Sequence, residues 1–328
     1  MTQPEMTQRE ELGMEQPTLV VGEALTDILS GPGVRRHAVP GGSPANVALG
    51  LARLGHPVQL ATRVGRDGFG RRLREHLGES GVALTAGSVV DAATSTATAS
   101  IAADGSADYR FEIVWELPSS TVYLARVGAL AHLHTGSLAA TLAPGAAGVL
   151  AVVDAARTRA TVSYDPNLRP ALLGAPSHER PRVERFVAAA DVVKASAEDL
   201  GWLCPGENVE AVAAGWARSG PSLVVLTWGA DGAQAFWPHG SLPVPAVPVR
   251  VADTVGAGDA FMSGLISGLL RAGLLGPERP ARARLREATG TDRLAPAVVD
   301  ALLLASRSAA ITCTRPGADP PTAAELLG

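Results

Sequence analysis

Short apolar runs recur along the chain. Most end in a turn signal and are followed by apolar residues at helical spacing. Residues 18–22, 58–64, 129–137, 161–164, 191–194 and 223–227 read as strands, several of them rich in β-branched residues. Strands that alternate with helices imply an α/β fold: a doubly wound, mostly parallel sheet with right-handed crossovers and ligands at the carboxyl ends of the strands. Residues 94–114 have another character. Thr96–Ile101 and residues 107–111 alternate around Ala103-Asp104-Gly105, which predicts a β-hairpin outside the main sheet. Near the C-terminus, residues 247–251 read as a strand leading into a glycine turn and a helix to Leu270. Residues 297–313 read as another helix, with small residues Ser308, Ala309 and Ala310 near its end. Residues 275–296 are polar and Arg-rich, a loop or short helix.

Composition sets limits on this picture. The 328 residues, 46% hydrophobic and 18% charged, suit one large α/β domain over residues 18–328, preceded by a polar, disordered tail over 1–17. A net charge of −4 gives no general attraction to nucleic acid or anionic membrane. Two cysteines, Cys204 and Cys313, exclude a disulfide framework and a paired-cysteine metal site. The tail has no apolar segment of the secretory type, and no uninterrupted apolar run reaches the ~18 residues of a membrane span, so a cytoplasmic protein is expected. Lys194 is the single lysine. His132 and His134 share one face of a strand and are read as hydrogen-bonded core residues rather than metal ligands.

The chemistry concentrates at glycine-rich turns and strand ends. In Asp253-Thr254-Val255-Gly256-Ala257-Gly258-Asp259-Ala260-Phe261 the glycines let the amides of Gly256, Ala257 and Gly258 converge at a helix start, an anion site. Asp259 beside it is placed to take a proton from a hydroxyl while the amides hold a phosphoryl group. No Lys-Ser/Thr pair follows, as a P-loop requires, and the third glycine of a dinucleotide fingerprint is missing. Hydride transfer is thereby excluded. Gly41 and Gly42 precede Ser43, a good N-cap, and Pro44, which suits the first helical position. Asn46 then lies in the first turn, with a donor and an acceptor for vicinal hydroxyls. Glu23 and Asp27 follow the first strand. Asp165, Asn167 and Arg169 follow a later one, and a guanidinium there can hold phosphoryl oxygens bidentately. The plainer alternatives are a turn or cap aspartate at 27 and a surface turn at 165–170.

Residues 253–261 resemble the C-terminal signature of the ribokinase-like, or PfkB-type, carbohydrate kinases, and residues 41–55 resemble their N-terminal signature. The form Gly41-Gly42-Ser43-Pro44-Ala45-Asn46 looks most like the fructokinase branch. Asp165-Pro166-Asn167-Leu168-Arg169 is similar to the family's D-P-N-x-R segment, and residues 227–232 are similar to its T-x-G-x-x-G turn. The resemblance implies a three-layer fold with a small β lid from about 28–40 and 94–114, and ATP- and Mg²⁺-dependent transfer to a primary hydroxyl. Asp259 would be the base, helped by the Gly256–Gly258 amides and Arg169. The sugar would meet Asp27, Gly41, Gly42, Asn46 and, from the lid, Tyr109 and Arg110. The nucleotide would meet Lys194, Ser196, Thr227, Gly229, Gly232, Gly258 and Ala309. Where the family has N-x-x-E this chain has Ser196-Ala197-Glu198-Asp199. Asp199 is then the expected magnesium residue, acting through water, and Glu198 points elsewhere. Asp253, Val255, Arg315 and Gly317 would surround a monovalent cation such as K⁺. D-Fructose, giving the 6-phosphate, is the expected substrate. Ribose or a sugar acid (2-keto-3-deoxygluconate or 5-dehydro-2-deoxygluconate, with Arg110 as the extra cation) are alternatives, as is an inactive sugar- or nucleotide-binding regulator. The resemblance also allows a homodimer built through the lid.

Overall fold

A computed structural model describes residues 16–31, 34–101 and 107–327. Most of the expected tail and the tip of the expected hairpin, Ala103-Asp104-Gly105, lie outside these residues. The central sheet has nine strands. From one edge they run Gly240–Val244, Ala233–Trp237, Leu223–Thr227, Val192–Ser196, Thr161–Asp165, His132–Gly136, Thr18–Val21, Val58–Ala61 and Val82–Leu84. Pairing is parallel from Val82–Leu84 across to Leu223–Thr227, and the last two strands turn back antiparallel. The parallel strands are buried almost throughout, polar residues such as His132, His134 and Ser163 included, because helices cover both faces. Leu19 and Val21 enter the core on one face and Val20 the core on the other, as a period of two requires.

A second sheet has the order Val34–Gly41, Leu25–Gly31, Thr96–Ile101, Ala107–Glu112. This is the expected lid, and its hairpin pairs Ala97 with Phe111 and Thr98 with Arg110. Two expectations change, and the open choice between a loop and a short helix over 275–296 is resolved. Residues 247–251 form no strand, because the preceding edge strand stops at Val244 and Pro245 and Pro248 cannot extend a ladder. Ser43 does not cap its helix. The helix is Ser43–Arg53, its N-cap is Gly42 at φ 102°, and no side chain caps it. Part of the Arg-rich 275–296 segment is a regular helix, Glu278–Ala288.

His132 and His134 are core residues as expected. His132 bonds Thr161 Oγ1 (2.8 Å) and Ser163 Oγ (2.7 Å), and His134 bonds Ser163 Oγ (2.9 Å). The helix Pro296–Cys313 has the length and mean hydropathy, 1.3, of a membrane span, although Asp300 and Arg307 interrupt its apolar residues. Here its inner face packs into the core through Val298, Ala301, Leu302 and Ala305.

Candidate active site

The carboxyl ends of the parallel strands and the lid enclose a cavity of about 640 Å³. One wall is the start of the helix Ala257–Arg271. Gly256 turns into it at φ 76°, a left-handed conformation that favours glycine, and a Cβ there would fall 2.5 Å from that of Ala318. The Ala257 N–H donates to Thr254 O at 3.2 Å, so one of the three amides expected to converge is taken up by the turn itself.

Asp259 is the third residue of that helix, and it is buried. Ser43 Oγ donates to its Oδ1 at 2.7 Å and Asn46 Nδ2 to its Oδ2 at 2.8 Å. Ser43 and Asn46 stand three apart at a helix start and so present both donors on one side. This is the purpose Ser43 serves instead of capping. Burial pushes the Asp259 carboxyl up from the ordinary aspartate range, against these two hydrogen bonds and the charges of Lys194 and Arg169. Asn46 was expected on the sugar. It lines the cavity, but its amide is engaged with Asp259, leaving its carbonyl oxygen for a ligand.

Asp27 stands on the lid strand beside Val39 and Ala97. Its carboxylate lies across Gly41, where a Cβ would fall 2.0 Å from Oδ2. Gly41 does not line the cavity; it makes room for Asp27. Gly42 does line it. Burial raises Asp27 to about 6, with Arg169 opposing. Glu23 is a second buried acid of the cavity, raised by burial to about 7. Its position at a strand end was legible in the sequence, but no role had been assigned to it.

The lid presents Leu25, Asp27, Ala97, Phe111 and Ile113 to the cavity. Arg110 has the opposite parity. It pairs with Glu112 at 2.6 Å, its side chain is 77% exposed, and it is not a cavity residue, contrary to expectation. The Tyr109 side chain lies outside the described residues.

Lys194 lines the floor and forms a buried ion pair, Nζ to Asp165 Oδ2 at 2.7 Å, with Asp165 behind the lining. Lys194 lies close under Gly258: a Cβ on that glycine would be 3.0 Å from Nζ. Among the described residues Asp165 Oδ1 has no hydrogen-bond partner, and it is buried. The loop that follows carries Asn167 at φ 36°, a left-handed conformation for a non-glycine residue, and the exposed Arg169, whose Nη1 donates to Asn167 Oδ1 at 2.7 Å. Arg169 faces the cavity. Asp199 holds this loop. Its Oδ1 accepts from Leu168 N (2.7 Å), and its Oδ2 accepts from Ser196 N (3.1 Å) and Oγ (2.7 Å) in a capping box. Both oxygens of the expected magnesium residue are thus engaged by the chain itself. Glu198, expected to point elsewhere, lines the cavity with an exposed side chain. A helix-face argument missed it because residue 198 is only the second of a helix, where its direction follows the strand-to-helix turn.

The far wall is Ser196, Thr227, Trp228, Gly229 and Asp231. Gly232, at φ 91°, closes that turn against Val244 and Pro245 without lining the cavity. Ala309 packs against the core and lies outside the lining. Asp253 joins the two loops expected around a monovalent cation. Its Oδ1 accepts from Val255 N (3.0 Å) and its Oδ2 from Gly317 N (2.8 Å). The Arg315 guanidinium is turned to Asp319 and Glu325.

With this geometry in place, the likeness to known proteins is decisive. The description "pfkB family carbohydrate kinase" matches residues 21–324. The chain belongs to the pfkB family of carbohydrate kinases. A fructokinase of Klebsiella pneumoniae is 36% identical over 78% of this chain and 85% of its own, and fructokinase-1 of Oryza sativa is 32% identical over 88% and 87%. Among solved structures, a fructokinase from Xylella fastidiosa with bound ATP superposes with a TM-score of 0.78 at 27% identity, covering 96% of this chain and 98% of its own. A fructokinase from Vibrio cholerae, bound to fructose, ADP and calcium, has a TM-score of 0.75 at 28% identity, covering 95% and 98%. This pfkB kinase is therefore a phosphotransferase with a sugar hydroxyl as acceptor, and its fold is that of the ribokinase-like kinases.

Proposed function

We propose that the enzyme transfers the γ-phosphoryl group of ATP to the primary hydroxyl of D-fructose, giving fructose 6-phosphate. The observation that carries this reading is Asp259: a buried carboxylate held by Ser43 and Asn46, one residue from the Gly258 amide, in a cavity shared with Asp27. Asp259 accepts the proton of the attacking hydroxyl. The Gly256 and Gly258 amides, with Arg169 and Lys194, face the charge on the transferred group. The wall from Ser196 to Asp231 suits the nucleotide.

Glu198, a hard donor whose exposed carboxylate lines the cavity, would hold a divalent ion such as magnesium; Asp165, whose Oδ1 has no partner among the described residues, is paired with Lys194 and does not line the cavity. Bound there with the nucleotide, magnesium would neutralise phosphate charge. K⁺ between the loops that Asp253 joins is part of the same proposal.

A neutral sugar is favoured over a sugar acid. Glu23 and Asp27 would repel a substrate carboxylate, and Arg110, the cation that a sugar acid would have needed from the lid, faces away. Phosphorylation of a sugar panel with ATP and Mg²⁺ tests this. The expected order places fructose above ribose and 2-keto-3-deoxygluconate in kcat/KM, and a sugar acid at the top would overturn it. Asp27→Ala is expected to raise the fructose KM strongly; an unchanged KM would remove Asp27 from the sugar site.

A further inference from the structure

The buried acid Glu23 has no part in phosphoryl transfer as described above. It follows Gly22, where a Cβ would fall 2.2 Å from Pro44, so the strand end is pressed against the helix that carries Ser43 and Asn46. Its carboxyl is only partly engaged by the chain. Oε2 accepts from Ala139 N at 3.1 Å, and the Ser137 hydroxyl and the residue's own backbone N–H add two further bonds. A carboxylate offers about four acceptor positions. Among the described residues no lysine or arginine forms an ion pair with Glu23, and Arg169 acts on it only at a distance. A glutamine would serve Ala139 and Ser137 as well. The acid is instead 4% exposed and part of a cavity wall, together with Asp27, Asp259, Arg169 and Lys194. A buried carboxyl with spare capacity and no cation calls for a neutral hydroxyl donor.

We propose that Glu23 is a specificity-determining residue of the sugar cavity, holding one substrate hydroxyl through the part of its carboxyl that the chain leaves unbonded. This rests on the reading of the cavity as a neutral-sugar site and adds a second carboxyl contact to that of Asp27. Because burial brings the Glu23 carboxyl to about 7, it is able to accept from a hydroxyl or donate to one near neutral pH.

The test uses Glu23→Gln, which keeps the shape and an acceptor for Ala139, and Glu23→Ala. The wild-type enzyme is first ranked on neutral sugars, and deoxy analogues of the best sugar, each lacking one hydroxyl, are then compared across all three proteins. Glu23→Ala is expected to raise KM for the parent sugar roughly ten- to hundredfold. The KM for ATP should stay within about twofold. For one deoxy analogue the wild type and Glu23→Ala should have nearly the same KM, because the partner hydroxyl is already absent. Glu23→Gln should fall between the two, with an acid–base dependence of the sugar KM that is flatter than the wild type's. An unchanged KM, or the same factor on every analogue, overturns the proposal. Failure of the fructose reading would show separately, as another neutral sugar heading the wild-type ranking.

Discussion

Asn46 donates its side-chain amide to Asp259 Oδ2 at 2.8 Å, across 213 residues of chain. With Ser43 it holds both carboxylate oxygens of the proposed base. The fold brings the helix Ser43–Arg53 against the helix Ala257–Arg271, and the base is oriented at the point where the two begin. Asn46→Ala should therefore lower kcat more than a lost sugar contact would. We expect a fall in kcat of roughly tenfold or more, with a smaller rise in sugar KM, since one of two orienting hydrogen bonds is removed. A KM effect with kcat intact would return Asn46 to sugar binding alone.

Two adjacent glycines should behave differently. A methyl at Gly41 meets the Asp27 side chain, which can swing away, whereas a methyl at Gly42 meets the backbone oxygen of Glu23 at 2.6 Å in a left-handed conformation. Gly41→Ala should raise sugar KM with little change in Tm. Gly42→Ala should lower the stability by about 1 kcal/mol or more. Thermal melts and sugar kinetics on the pair check this, and equal behaviour would contradict it.

Asp199 and Glu198, neighbours in sequence, meet different surroundings. Asp199 is closed in a capping box and holds Leu168, next to Arg169, while Glu198 is free in the cavity. Glu198→Gln should raise the Mg²⁺ concentration needed for half-maximal activity. Asp199→Asn should instead lower kcat through the displaced Arg169 loop, with a smaller shift in the Mg²⁺ requirement. Magnesium titrations of both variants decide the assignment; the reverse pattern would restore Asp199 as the magnesium residue.

The buried histidines have a pH signature. His134 is held neutral by burial, its value lowered from 6.5 to about 3. In the unfolded chain it takes a proton below about 6.5, so the stability it contributes is complete above that pH and is lost as pH falls toward 3. Glu23, raised from 4.5 to about 7, acts in the opposite sense, its burial costing more as pH rises through that range. Comparison with His134→Asn isolates the histidine. The stability difference, wild type minus variant, should shrink on acidification by up to about 1.4 kcal/mol per pH unit below pH 6.5. Denaturant titrations at pH 5, 6 and 7 measure it, and a constant difference would show that His134 is not neutral in the fold.

Much of this arrangement was legible in the sequence because its signals are local. Strand–helix alternation and the lid hairpin follow from periodicity, and the two glycine signatures mark the places where backbone borders the cavity. What was not legible depends on contacts between distant segments. Ser43 reads as an N-cap in its own window, and only Asp259, 216 residues away, shows where its hydroxyl goes. Gly41 reads as a ligand contact until Asp27 is seen lying across it. Arg110 and Phe111 are neighbours in a hairpin, and which of them faces the cavity depends on register against Thr96–Ile101. The strand expected at 247–251 failed because apolar content outweighed Pro245 and Pro248 in the reading.

The central claim is that Asp259 is the base in phosphoryl transfer to a sugar hydroxyl, and Asp259→Asn tests it most directly. Asparagine keeps the shape and can still face Ser43 and Asn46, so folding and ligand binding should survive. The decisive measurement is kcat of Asp259→Asn with ATP, Mg²⁺ and saturating fructose, beside equilibrium binding of both substrates. We predict that kcat falls by at least the ~10²–10⁴-fold typical of a lost general base, while the two dissociation constants stay within a few-fold of wild type. A variant that keeps a tenth or more of wild-type kcat would contradict the account.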